Sequence, residues 1–367
     1  MDNITKAALL LNAIKAKNKI FTRLCSDYDP CDLWQSDSLL KELGLTEKMT
    51  GRLLKFISDD WAEQEDDKLY KFGARFIHSR SNDYPSRLLD LSNPPVGLYV
   101  KGNVNLLLPF TAIVGTRKCS LYAENTAVNL GRAVAEAGMM TISGGAKGID
   151  TAGHRGTLLG GGVTSVIFGN GLDRVYPVEN RDLFAMILEH GGAWVSEYPF
   201  GTNGDAWRFP ERDRLIAGIA AHVVIAESPE DGGAMYTAKI ARKLGRDTWS
   251  IPGRITDATN LGSNRIMNDG VKTLADIGDF IKSITSGHVQ LNINFNGTEE
   301  SESEKASVSL DENEKTVYSF LQRSGAKTKD SIAAGIELDD SDIDIALMNL
   351  EADGLIISRG GRYEVVA

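Results

Sequence analysis

Between residues 110 and 284 the chain repeats one pattern: a short apolar run, a glycine turn, then an amphipathic stretch. Candidate strands are Thr111–Val114, Met139–Ile142, Thr164–Phe168, Trp194–Ser196, His222–Ala226 and Thr248–Ile251. Helical spacing marks Glu124–Ala137 and Ala234–Leu244 among the stretches between them. Strands separated by helices cross over and lie parallel, so this alternation predicts a doubly wound sheet. The expected fold class is α/β: a Rossmann-like, mostly parallel sheet with a small helical N-terminal domain and a C-terminal winged helix.

The flanks lack this pattern. Ala7, Leu10, Leu11 and Ile14 form an apolar stripe at helical spacing, and residues 39–45 and 49–57 read as two helices joined at Gly44. Residues 1–67 are therefore expected to form a helical domain, resembling half of a helix-hairpin-helix or sterile-alpha-motif module. The Rossmann-like domain is expected over 68–284, with turns at Tyr84-Pro85 and Asn93-Pro94-Pro95 in its lead-in. Residues 285–308 are rich in Ser, Glu and Asn and read as a flexible linker. Over 309–367 three short helices (312–322, 328–334 and 341–353) precede a hairpin turning at Gly360-Gly361. That is a winged-helix order.

Composition narrows the function. The 367 residues carry a formal charge of −10, which excludes a surface coated with positive potential for wrapping duplex DNA. The acids cluster at 59–67, 299–304 and the C-terminal segment, and leave the glycine-rich middle nearly balanced. Cys25, Cys31 and Cys119 are too few and scattered for a disulfide framework or a zinc site, and the five histidines form no paired ligand motif. No metal or cofactor is expected. A start of Met1-Asp2-Asn3-Ile4 lacks a secretory pattern, and a reducing cytoplasm fits these features.

Ligands of open parallel sheets sit beyond the C-terminal strand ends. Two such ends are notable. Ala112-Ile113-Val114 runs into Gly115, Thr116 and Arg117; Thr141-Ile142 runs into Ser143, Gly144, Gly145, Ala146, Lys147, Gly148, Ile149 and Asp150. Glycines admit an anion close to the backbone, a helix start adds free N–H groups, and Arg117 and Lys147 supply charge. Phosphate binding is the expected chemistry. Neither GxGxxG nor GxxxxGK[ST] is present, so a dinucleotide or a hydrolysed ATP fits poorly. Asp150 and His154 lie one turn apart. They read as a helix cap and a loop-orienting residue more readily than as an acid–base pair. A third stretch, Trp207 to Arg214, interleaves Arg212 and Arg214 with Trp207 and Phe209, a composition suited to single-stranded nucleic acid. Four phosphate contacts, through Arg117, Lys147, Arg212 and Arg214, would give a log–log salt slope of about −3.

These residues together resemble the bacterial DNA-processing DprA (Smf) family. The likeness runs from Val114–Arg117 through Ser143–Asp150 with His154, then Gly169–Asp173 followed by Tyr176-Pro177 and Asn180. It continues through Ser196–Pro199, Phe209–Gly218, Gly245-Arg246, Ile251–Gly253 and Gly262–Asn264. The resemblance implies a non-enzymatic single-stranded-DNA binder that protects incoming DNA, acts as a homodimer and loads RecA in natural transformation. It also implies DNA contacts at Arg117, Lys147, Phe209 and Arg212, with Ser143, Gly144 and Gly145 shaping the pocket. Two departures stand out: Asp213 where the family usually has Asn, and Asp231–Met235 in place of a Ser-Gly-Ser-Leu run.

Rossmann relatives that hydrolyse nucleoside monophosphates are the alternative, but the Pro-Gly-Gly-x-Gly-Thr loop typical of them is missing at Asp231–Ala234. The C-terminal segment resembles the winged helix that ends many DprA chains. Its third helix carries Asp339, Asp340, Asp342, Asp344, Glu351 and Asp353, which would repel phosphate. A protein-contact or regulatory role is expected there, which also disfavours a winged-helix transcription regulator.

Overall fold

Five α-helices precede the first strand: Asn3–Ala13 (α1), Asn18–Asp27 (α2), Asp37–Glu42 (α3), Glu47–Ser58 (α4) and Trp61–Phe72 (α5). They are seen in a computed structural model that describes residues 1–292, 312–324, 327–333, 335–336, 338–352, 356–359 and 362–365. The Asp2 carboxylate starts α1 by accepting from Thr5 N at 2.9 Å. Every residue from Ala7 to Ala13 is buried, so α1 is the centre of this bundle. The turn between α3 and α4 passes through Gly44 at φ +76°.

The bundle is tied to the α/β elements after it. Leu9 of α1 and Leu69 of α5 belong to the same apolar cluster as Phe168 and Phe184. Asn12 Nδ2 donates to Glu197 O at 2.8 Å, and the buried Glu65 carboxylate accepts from Phe200 N at 2.8 Å. The expected boundary at residue 67 thus falls inside α5, and residues 1–295 form one compact unit. A boundary read from a change of pattern misses side chains such as Asn12 and Glu65 that bind across it.

Next come Ala74–His78 (β1) and Gly97–Gly102 (β2), then Phe110–Val114 (β3), Leu121–Glu136 (α6), Met140–Ser143 (β4) and Ile149–Leu159 (α7). Thr164–Phe168 (β5), Arg181–Glu189 (α8), Ala193–Ser196 (β6), Arg208–Ile219 (α9) and Ala220–Ile225 (β7) follow. Gly233–Lys243 (α10), Asp247–Ser250 (β8), Leu261–Asn268 (α11), Lys272–Thr273 (β9) and Ile277–Asn292 (α12) complete the unit. One nine-stranded sheet runs β1-β2-β6-β5-β4-β3-β7-β8-β9. Its β1–β2 and β2–β6 pairings are antiparallel, and all the others are parallel.

The expected α/β, mostly parallel class is borne out. Strands β3 and β5 are buried along their whole length, the signature of a sheet covered on both faces. Strands β1, β2 and β9 were not among the expected strands. β1 and β2 hold an edge as an antiparallel hairpin outside the strand–helix repeat, and β9 is only two residues long.

In the second unit, 296–367, Glu312–Ser324 (α13), Lys327–Thr328 (β10), Lys329–Ala333 (α14), Asp340–Ala352 (α15), Ile356–Arg359 (β11) and Arg362–Val365 (β12) follow a winged-helix order. Val317, Leu321, Ile332, Ile343, Leu347 and Leu350 form its core. Asp340 and Asp344 on α15 are exposed. Helix α12 reaches into the expected 285–308 linker as far as Asn292; the rest of that linker, Asp353 and the Gly360-Gly361 turn lie outside the described residues.

Candidate functional site

Strand β3 is flanked by β4 on one side and β7 on the other, so the loops leaving β3 and β7 diverge at a topological switch point. A crevice of about 740 Å³ opens there. Gly115, Thr116 and Arg117 line it after β3, Phe209, Arg212 and Asp213 from α9, and Gly232 and Gly233 at the start of α10. A recess of about 320 Å³ shares Arg117, Tyr176, Phe209 and Arg212 with it and adds Gly144 and Lys147.

The β3 loop is held by main-chain bonds. Thr116 N donates to Glu227 O at 2.8 Å, and Ile149 N donates to Thr116 O at 3.3 Å. Glu227 also takes Ser120 N and Ser120 Oγ on its carboxylate, at 3.1 and 2.6 Å, which ties the end of β7 to the start of α6. Gly148 has φ +78°, and a Cβ there would stand 2.5 Å from Thr116 O. Both conformation and space therefore require glycine at that position.

Arg212 organises the second loop from beneath. It is only 4% exposed. Its Nη1 donates to Gly144 O at 2.5 Å and to Ile167 O, while Nε donates to Asp213 Oδ1 at 3.0 Å. A Cβ on Gly144 would collide with this guanidinium. Ser143 Oγ donates to Ile113 O at 2.7 Å and links β4 to β3, and Gly145 O accepts from Asn180 Nδ2 at 2.9 Å.

Asp150 and His154 face different ways. The Asp150 carboxylate accepts from Gly144 N and Ala146 N at 3.1 and 3.2 Å, so it orders the preceding loop rather than capping its own helix. His154 Nδ1 lies 2.7 Å from Thr164 Oγ1 on β5, away from the loop it was expected to orient. Burial, with Arg212 adding to it, lowers the His154 pKa to about 3 and keeps the ring neutral. The two side chains do not form the acid–base pair.

Burial raises the Asp150 carboxyl to about 6, with Arg212 opposing the shift. Between its ordinary value of 3.8 and about 6, the folded chain holds a proton that the unfolded chain releases. Wild-type stability then falls as pH rises through that window. Asp150→Asn has no proton to lose. Its stability relative to wild type is expected to climb by about 3 kcal/mol across the window, at about 1.36 kcal/mol per unit, and to level off above it. Urea melts of both proteins over that pH range test this; a constant difference would refute it.

The cations differ in availability. Arg117 and Lys118 are exposed and make no ion pair among the described residues. Lys147 Nζ is 2.6 Å from Glu179 Oε1, on the surface. The Arg117 guanidinium lies 5.3 Å from the Phe209 ring centre, and the Tyr176 ring lies 5.4 Å from Phe209 at 30°. Asp213 sits beside Arg212 with its side chain 15% exposed; burial raises its pKa, with Arg212 and Arg117 opposing.

The expected cluster of Arg212 with Arg214 does not form. Their stretch is helical, and two residues along an α-helix is about 200° of rotation. Phe209, Arg212, Asp213 and Ile216 line the crevice; Trp207, Arg208, Glu211 and Arg214 line a separate cleft on the other side of α9. Arg214 there binds both Glu197 oxygens, at 2.5 and 2.6 Å, and donates to Asn93 O at 3.1 Å. Lys118, Tyr176 and the Gly232-Gly233 turn also line the crevice, although none was an expected site residue. The signals were the second cation after Arg117 and the glycines following β7, which acquire meaning only once β7 is known to adjoin β3.

Among known proteins, a family model described as DNA recombination-mediator protein A matches residues 75–285. A Mycobacterium tuberculosis relative bearing the DNA processing protein DprA name is 31% identical over 324 residues, covering 84% of this chain and 81% of its own. The X-ray structure of DNA processing protein A from Streptococcus pneumoniae superposes with a TM-score of 0.65 at 29% identity, covering 76% of this chain and 96% of that one. A Helicobacter pylori DNA processing protein A structure, whose subject is its single-stranded DNA binding mode, gives 0.53 at 26% identity, covering 58% and 96%.

Proposed function

The chain belongs to the DNA recombination-mediator protein A family, and from that premise we propose that its switch-point crevice binds single-stranded DNA. Arg117 and Lys118 carry this reading: two exposed cations without ion pairs among the described residues, beside the Tyr176 and Phe209 rings. Phosphates meet Arg117, Lys118 and Lys147, the last by exchanging Glu179 for the strand. Gly115, Thr116 and Gly144 bring main chain up to the backbone, and bases stack on the rings, each stack worth about 1–3 kcal/mol. Ser143, Gly145, Asp150 and Arg212 hold the loops in place. Three phosphate contacts give a log–log salt slope of about −2, shallower than four would. The Helicobacter relative's single-stranded DNA binding supports the same chemistry.

The finer reading is a non-enzymatic, homodimeric mediator in the cytoplasm. It protects the strand and passes it to RecA in recombination and natural transformation. The family's description as a recombination mediator supports it. Among the described residues no helix is long and apolar enough to cross a membrane.

Gel shifts of single-stranded and duplex DNA, with wild type and Asp213→Asn, test the proposal. Single strands are expected to bind and duplex poorly. Asp213→Asn removes a negative charge from the crevice and is expected to tighten single-strand binding several-fold, on the order of 1 kcal/mol at intermediate dielectric. Because burial raises the Asp213 pKa, the two proteins should converge as the pH is lowered. Equal affinity for duplex and single strand would overturn the reading.

A further inference from the structure

The cleft on the other side of α9 has about 560 Å³ and is built from both parts of the first unit. Lys15, Arg52 and Trp61 come from the helical bundle, Trp207 caps the start of α9, and Arg208 and Arg214 lie on α9. Strand binding in the crevice makes no use of these six side chains. We propose that this cleft is a second single-stranded-DNA subsite, which takes the strand onward from the crevice over the first turn of α9. The proposal rests on the reading of the crevice as a single-strand site.

Three observations carry it. The first is continuity. Gly204 and Ala206 line the crevice, Trp207 and Arg208 line the cleft, and Phe209 lines the crevice again. The first turn of α9 is thus a ridge between two openings, with an aromatic ring on each slope. A strand leaving Phe209 has Trp207 as its neighbouring stacking surface.

The second is composition. Trp207 is 52% exposed. Lys15 Nζ lies 4.3 Å and the Arg208 guanidinium 4.2 Å from its ring centre, and Arg208 is also 5.0 Å from the Tyr198 ring. Phe56 and Trp61, both half-buried, stack at 4.8 Å in the lining of the same cleft. Cations set around the exposed Trp207 ring suit a strand, whose phosphates need charge and whose bases need flat apolar faces. A hydrophobic peptide would call for an apolar lining; this one carries four cations and two carboxylates.

The third is the charge sum. Lys15, Arg52, Arg208 and Arg214 line the cleft against two carboxylates, Glu197 and Glu211. Arg214 holds Glu197, while Lys15 and Tyr198 hold Glu211, each at 2.9 Å. Asp205 approaches Arg208 at 3.2 Å from outside the lining and leaves the cleft positive. In a chain of net charge −10 that is a local exception. Lys15 also holds φ +59°, a left-handed conformation rare outside glycine, and its ammonium lies over Trp207.

The test is affinity against oligothymidine length for wild type, Trp207→Ala, Trp207→Phe and Lys15→Ala, by fluorescence anisotropy. Wild type is expected to gain at least about ten-fold once the oligomer outgrows the crevice, the scale of one base stacked on an aromatic. Trp207→Ala and Lys15→Ala should lose that gain and bind the shortest oligomer as wild type does. Trp207→Phe should keep it. Long oligomers should quench tryptophan emission in wild type by more than in Trp207→Phe. A length gain that persists in Trp207→Ala and Lys15→Ala overturns the proposal while leaving the crevice reading intact. So does a loss confined to stimulation of RecA with oligomer binding unchanged, which would make the cleft a protein-docking surface. Failure of every oligomer to bind wild type would instead remove the crevice reading itself.

Discussion

Arg212→Ala is expected to lower the unfolding free energy by about 3–5 kcal/mol, the usual cost of removing one partner from a buried charged network. The guanidinium is 4% exposed, satisfies Gly144 O and Ile167 O, pairs with Asp213 and favours the charged form of the Asp150 carboxyl. Alanine leaves two main-chain carbonyls unpaired, the buried Asp150 without its counter-charge, and Asp213 with Arg117 alone to oppose its burial. Lysine is not a substitute, since a single ammonium lacks the planar fork that reaches two acceptors and a carboxylate together. Single-strand affinity should fall as well, because the Gly144–Lys147 loop loses its support. Denaturant melts read beside DNA binding separate support from contact. If Arg212→Ala binds DNA weakly but melts at the wild-type denaturant concentration, Arg212 is a direct phosphate contact and the buried-anchor reading fails.

Arg117→Ala should do the reverse. The side chain is exposed, makes no ion pair among the described residues, and approaches the Phe209 ring as a cation–π pair at 5.3 Å. Its removal should leave the melting curve unchanged. Single-strand affinity is expected to fall about ten-fold or more, since a charge-assisted hydrogen bond is worth ~1.5–3 kcal/mol. The log–log salt slope should flatten by about 0.7, the share of one phosphate. Anisotropy titrations at several salt concentrations provide both numbers. An unchanged slope would exclude Arg117 as a phosphate contact.

Much of the α/β architecture was legible because its signals are local. A parallel strand covered on both faces is a short apolar run, and Thr164–Phe168 was delimited to the residue. The loops after β3 and β4 were legible for the same reason: glycines and cations come directly after the strands. Ser143 was less so. It lies at a strand end like Thr116, yet its hydroxyl turns inward to Ile113 O. Side-chain direction at a strand end depends on register with the neighbouring strand, which spacing along one chain does not reveal.

The order of residues alone determined the mostly parallel sheet, the winged-helix order and the two glycine-rich strand ends, because each depends on neighbours within a few positions. The division of labour among the cations came from the fold. Arg117, Lys147, Arg212 and Arg214 are equivalent as letters: four positive charges near glycines and aromatics. Packing leaves Arg117 exposed beside Phe209, and makes Lys147 a surface partner of Glu179, Arg212 a buried anchor and Arg214 a partner of Glu197. The reason is rotation and distance. A helix turns Arg212 and Arg214 to opposite sides of α9, and a crossover brings β7 and its glycine turn beside β3, from more than a hundred residues away.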